Sequence, residues 1–153
     1  MPATLPASLA PPAGRRARPH AVLLTACTVL FGLRVLAQAV QYVQPSPYLP
    51  PFEAFQGSAL PYALLLPAQV LILTMMIRAT VSVAQARQGP RPARGRLLAR
   101  LGALYLAGAL LRIALGLALP ELGAWFRAWI PAVLHVVLAA FVLLLADRHL
   151  RSA

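Results

Sequence analysis

Four apolar stretches dominate this chain, each close to the roughly 20 residues that a helix needs to cross about 30 Å of hydrocarbon. They run from Ala21 past Arg34 to Gln41, from Ala54 to Ile77, from Leu101 to Leu119 and from Ala128 to Ala146. Inside a bilayer no water satisfies the backbone, so runs of this kind are confined to helices that pair their own N–H and C=O groups. The sequence therefore reads as an all-α integral membrane protein, a bundle of four transmembrane helices at about residues 20–42, 57–84, 97–119 and 127–147. Composition agrees: of 153 residues, 60% are hydrophobic and only 11% charged, too apolar for a soluble domain of this size.

Charge sets the expected orientation. All 14 basic residues are Arg, and they concentrate at Arg15, Arg16 and Arg18, at Arg78, Arg87, Arg91, Arg94, Arg96 and Arg100, and at Arg148 and Arg151. Basic excess marks cytoplasmic segments, so both termini and the middle loop are expected inside. The loop from Gln41 to Ser58 has Glu53 and no basic residue, and the loop from Pro120 to Arg127 carries Glu121 and Arg127; both are expected outside. Use of Arg without Lys fits a GC-rich genome, and with the charge pattern it points to a bacterial cytoplasmic (inner) membrane.

A net charge of +11 invites a nucleic-acid reading. The charge sits beside the membrane, without a nucleic-acid-binding motif or interleaved aromatics, so the expected partner is anionic lipid at the cytoplasmic face. A second membrane protein or another copy of the chain is the other expected partner. Cys27 is the sole cysteine, which excludes an intramolecular disulfide and CxxC chemistry.

Residues 1–18 read as a Pro/Ala-rich, then basic, disordered tail ahead of a membrane domain over residues 19–153. Leu24-Thr25-Ala26-Cys27 has the form of a lipobox. Only six apolar residues separate His20 from Cys27, however, and the apolar run continues beyond it, so the first helix is expected to stay uncleaved.

The middle linker from Arg78 to Arg100 contains the helix breakers Gly89, Pro90, Pro92 and Gly95, dividing the chain into two helical hairpins. The halves resemble each other. Each first helix carries one Arg in its outer half, and Pro61 to Arg78 and Pro131 to Arg148 are both 17 residues apart. This is the pattern of a parallel repeat. In the first outer loop, four prolines between Gln44 and Pro51 exclude a helix and favour an extended path. Tyr42, Tyr48, Phe52, Phe55, Tyr62, Trp125 and Trp129 fit an interfacial aromatic belt.

Every span carries an expensive polar side chain at similar depth: Arg34, Gln69, Arg112 and His135. At about 1.5 Å of rise per residue, the two arginines fall about 3 to 5 Å outside the midplane. An Arg at a helix centre costs about 2.5 to 3.5 kcal/mol on insertion scales, so both should face the protein interior and need acceptors. Arg34, Gln38 and Gln41 form one outward-leading stripe, while Gly108 and Gly116 flank Arg112 and should clear space for it. Pro67, two residues before Gln69, is expected to kink its helix.

No carboxylate lies beside these arginines within a span, so Glu53 and Glu121 at the outer edge are the nearest acidic candidates. Two readings follow. In one, Arg34 and Arg112 are internal glue, held by Glu53, Glu121 and helix-end carbonyls, in a non-catalytic accessory or assembly subunit. In the other, Arg34, Gln38, Gln69, Arg112 and His135 line an outward-opening cationic pocket of a small-molecule or lipid binder or transporter. A redox protein holding haem or quinone is a third reading, carried by His135, which is expected to bond Gln69. Haem would need a second intramembrane His, and His20 and His149 sit at inner helix ends. No cofactor or metal is therefore expected. Ser58, Thr80 and Ser82 stand alone near span ends, without a catalytic set, so an enzyme is disfavoured.

Overall fold

The computed structural model describes residues 14–57, 60–85, 89, 91–119, 121 and 123–151. The leader up to Ala13, together with Ser58, Arg87, Pro90 and Pro120, lies outside the described residues. Among those described the protein is entirely helical. Four long helices are α1 (Gly14–Val43), α3 (Tyr62–Ala84), α4 (Pro92–Ala118) and α6 (Trp129–Arg151), and two single turns in the loops within the two hairpins are α2 (Phe52–Phe55) and α5 (Ala124–Arg127). All four long helices are long and apolar enough to cross a membrane.

Several boundaries differ from those read in the sequence. Helix α1 begins at Gly14, so the basic stretch read as the end of the tail is helical, and Pro19 is accommodated inside it. Helix α4 begins at Pro92 rather than near 97, because Pro at the first helical position needs no partner for its missing N–H. Helix α3 begins only at Tyr62, after Pro61, and runs unbroken through Pro67. Phe52, the end of the loop expected to be extended, opens the turn of α2.

Packing orders the helices in a row. Helix α3 packs chiefly on α1, α1 also on α6, and α6 on α4, giving the order α3, α1, α6, α4 instead of a closed ring. The three-helix side of this row is cemented by Leu24, Phe31 and Val35 of α1, Met76 of α3 and Phe141 of α6. Thr80, read as standing alone, faces Thr28 at 3.2 Å across α3 and α1.

The α4–α6 contact is of a different kind. On α4 the buried residues Gly95, Gly102 and Ala109 recur every seven positions, and on α6 Ala132, Ala139 and Ala146 do the same. Two seams of small residues let antiparallel backbones approach closely, which is how helices associate when lipid removes the hydrophobic drive. A Cβ on Gly102 would sit 2.9 Å from Leu143 Cδ2, so the seam admits almost nothing larger.

At the end that holds both termini the row is clasped by charge. His20 Nε2 of α1 lies 2.8 Å from Asp147 Oδ2 of α6, and Arg151 Nε donates to Asp147 Oδ1 at 2.5 Å. Asp147 is the only Asp in the chain, and sequence reasoning passed over it.

Candidate functional site

The polar stripe of α1 meets the loop that joins α1 to α3. Gln41 Nε2 donates to the Pro50 carbonyl at 2.9 Å, and its Oε1 accepts the Ser46 backbone N–H at 2.5 Å. One turn deeper, Gln38 is fully buried and uses both ends of its amide. It accepts from Gln69 Nε2 at 3.2 Å and donates to Gln56 Oε1 at 3.3 Å, and Gln56 Nε2 donates to the Leu60 carbonyl at 2.8 Å. An amide relay thus ties α3 and α1 to the loop. Deepest in the stripe, Arg34 Nη2 donates to the Phe55 carbonyl at 2.6 Å.

That acceptor has a physical reason. A single helical turn leaves its terminal carbonyls without partners, and a guanidinium supplies the donor that water cannot inside a membrane. The second hairpin repeats the device. Arg112, 6% exposed, donates from Nη2 to the Trp125 carbonyl of α5 at 2.6 Å. Its Cζ also lies 4.1 Å from the Trp125 ring centroid, so the indole face offsets part of the charge.

The two arginine sites approach each other through the first loop. A Cβ added to Gly57 would overlap Pro131 of α6 and lie 3.5 Å from Arg112 Nη2. The segment from Phe55 to Gly57 is therefore gripped by Arg34 on one side and set close to Arg112 on the other.

Other members of the expected layer separate. Glu53 and Glu121 are exposed, and neither forms a salt bridge with Arg34 or Arg112; backbone carbonyls take that role. His135 does not bond Gln69. Its Nδ1–H donates to the Pro131 carbonyl one turn back on α6, and its ring lies 5.9 Å from Tyr105 of α4. Gln69 is on α3 at one end of the row and His135 on α6, so equal depth does not bring them together. Gly108 faces open space, and Gly116 lies under the Phe126 carbonyl, where its missing side chain lets α5 approach closely.

Tyr42, Phe52 and Tyr62 of the expected belt form one cluster at the loop end of the first hairpin, with centroid distances of 4.5 to 5.5 Å. Beneath it, Arg34 Nε, Gln69 Oε1 and Tyr62 Oη are buried without a hydrogen-bond partner among the described residues, as is Arg112 Nε in the other hairpin. Among the described residues no group of three or more His, Cys, Asp or Glu could hold a metal ion. Comparison with protein-family models, curated proteins and solved structures finds no match to this chain.

Proposed function

We propose that this small multi-pass membrane protein is a non-catalytic accessory or assembly subunit of a bacterial cytoplasmic membrane, with both termini inside. The observation that supports this reading is the use made of Arg34 and Arg112. Each donates at 2.6 Å to a backbone carbonyl in the outer loop of its own hairpin, so the costliest groups in the spans hold loops in place. The exposed faces of α3 and α4, the two ends of the row, are free for lipid or partner helices. The same device occurring once per hairpin also favours the parallel-repeat reading.

A second reading keeps the layer as a site for an anionic or carbonyl-bearing ligand. It is favoured by the buried, unpartnered Nε groups of Arg34 and Arg112. Purified Arg34→Gln and Arg112→Gln proteins separate the two. The structural role leads to a lowered unfolding midpoint and loss of assembly in size-exclusion chromatography. Retained stability with loss of a bound small molecule in native mass spectrometry would instead establish the ligand site. Orientation is tested by thiol labelling in a Cys27→Ser background. Tyr48→Cys, at a position 93% exposed, should react with an impermeant reagent from outside, and Gly89→Cys only after permeabilisation.

A further inference from the structure

The corner where α1, α3 and the turn of α2 meet leaves three buried polar atoms open. Gln69 is 5% exposed and Tyr62 9%. Gln69 Oε1, Tyr62 Oη and Arg34 Nε make no hydrogen bond among the described residues. Each has given up its water without a replacement, which is costly inside a membrane.

The three belong to one place. Arg34 and Gln38 are one turn apart on one face of α1, and the consecutive loop residues Phe55 and Gln56 bond them. Gln69 reaches the same spot from α3 through its bond to Gln38. Tyr62 lies on the Gln69 face of α3, seven residues nearer the loop, with its ring 4.5 Å from that of Tyr42, the next turn of α1 after Gln38. Its hydroxyl is within electrostatic reach of the Arg34 guanidinium.

The amide relay dictates what its open end asks for. The Leu60 carbonyl only accepts, so Gln56 turns Nε2 toward it and Oε1 toward Gln38. Gln38 then gives Nε2 to Gln56 and presents Oε1 to Gln69, which answers with its own Nε2. The far end of the relay is therefore a carbonyl oxygen, and turning any one amide over would break a bond. Its neighbours are a guanidinium N–H, which only donates, and a phenol, which does both. An occupant has to accept from Arg34 and donate to Gln69. A carboxylate, a doubly ionised phosphate or a quinone carbonyl has no proton for Gln69 Oε1, whereas a neutral hydroxyl serves both.

The corner is also reachable from the bilayer. The helices form an open row, and Leu33 and Leu36 of α1 and Leu64 of α3 are exposed beside it. An occupant that arrives from this side carries an apolar body behind its polar head.

We propose that this corner binds the hydroxyl of a neutral, membrane-soluble alcohol of the diacylglycerol type. Its oxygen accepts the Arg34 Nε–H, its proton goes to Gln69 Oε1, and Tyr62 Oη is the third partner. The proposal rests on the second reading above, the layer as a ligand site, and replaces the anionic or carbonyl ligand with a hydroxyl. Arg34 then serves two ends at once, with Nη2 holding the loop and Nε the ligand.

Full-length protein in nanodiscs, titrated with dioctanoylglycerol, its acetate ester or the phosphatidic acid of the same chains and read by native mass spectrometry, tests this. Dioctanoylglycerol should be retained roughly tenfold more tightly than either relative. Tyr62→Phe keeps the ring and removes only the hydroxyl, so it should weaken retention about threefold without lowering the unfolding midpoint. Gln69→Leu should weaken it roughly tenfold, with circular dichroism confirming that the protein folds. Tyr48→Phe, at an exposed position outside the corner, should leave retention unchanged. Equal retention of the acetate ester would overturn the proposal, because that ligand has no proton to donate. Preference for phosphatidic acid would overturn the hydroxyl while leaving the layer a site for anions. If none of the three binds above the level of the Gln69→Leu protein, the corner takes water only, and the ligand reading of this hairpin falls with the proposal.

Discussion

Arg112 engages Trp125 twice, through a 2.6 Å hydrogen bond to its backbone carbonyl and through its indole face at 4.1 Å. A single residue of α5 therefore supplies the guanidinium with both an acceptor and a π surface. The two contacts can be separated by substitution. Trp125→Leu keeps the carbonyl and is expected to lose about 1 kcal/mol. Arg112→Gln is expected to lose more, about 1–3 kcal/mol, because the carbonyl is left without its donor. Unfolding midpoints in detergent, with hydrogen exchange across residues 119–128, measure both.

Gln38 is the hinge of the amide relay. Gln38→Leu strands Gln69 Nε2 and Gln56 Oε1 and should cost about 1–3 kcal/mol. Gln69→Leu should cost less, since Gln38 keeps its bond to Gln56. The double variant should be no worse than Gln38→Leu alone, a coupling that a double-mutant cycle reads directly. Strict additivity would argue that the two amides do not touch.

Glycines on opposite faces of α4 should respond differently to the same change. Gly102→Leu forces atoms into Leu143 and should destabilise by about 1–3 kcal/mol. At Gly108 an added Cβ meets nothing within 4 Å, and Gly108→Leu should stay within about 0.5 kcal/mol of the parent. Thermal unfolding of the two proteins side by side is sufficient.

The order of the row can be tested by cross-linking. With Cys27→Ser as background, His20→Cys combined with Asp147→Cys should be joined by a short bifunctional thiol cross-linker, since the native side chains meet at 2.8 Å and the shorter cysteines leave a gap for the linker to span. Met75→Cys on α3 combined with Leu104→Cys on α4 should not, as these helices end the row on opposite sides. A closed ring would reverse the second outcome.

Hydropathy made the four spans legible, and the insertion cost of arginine correctly marked Arg34 and Arg112 as groups needing acceptors. The acceptors themselves could not be read. Phe55 and Trp125 contribute backbone carbonyls, which every residue has, so nothing in their side chains signals the role. Depth along a helix was readable, but azimuth and neighbour were not. Gln69 and His135 were aligned in height and assigned to each other, whereas Gln69 found Gln38 and His135 found its own helix. The seven-residue spacing of Gly95, Gly102 and Ala109 against Ala132, Ala139 and Ala146 was present in the sequence and would have disclosed the α4–α6 pairing. Asp147 was equally visible as the chain's sole Asp, opposite a histidine on the neighbouring helix α1.

Each arginine finds its carbonyl within its own hairpin, 21 and 13 residues further along the chain. During synthesis, neither guanidinium needs to wait for the other hairpin. Once the first loop has been threaded through, Arg34 has its acceptor, and the charge that opposed entry into lipid becomes the clip that keeps the hairpin from slipping back. The second hairpin then repeats this with Arg112, so the chain enters the bilayer as two separately latched modules, and joining them is left to the His20–Asp147 clasp, the α1–α6 contact and the seat of Gly57 against Pro131.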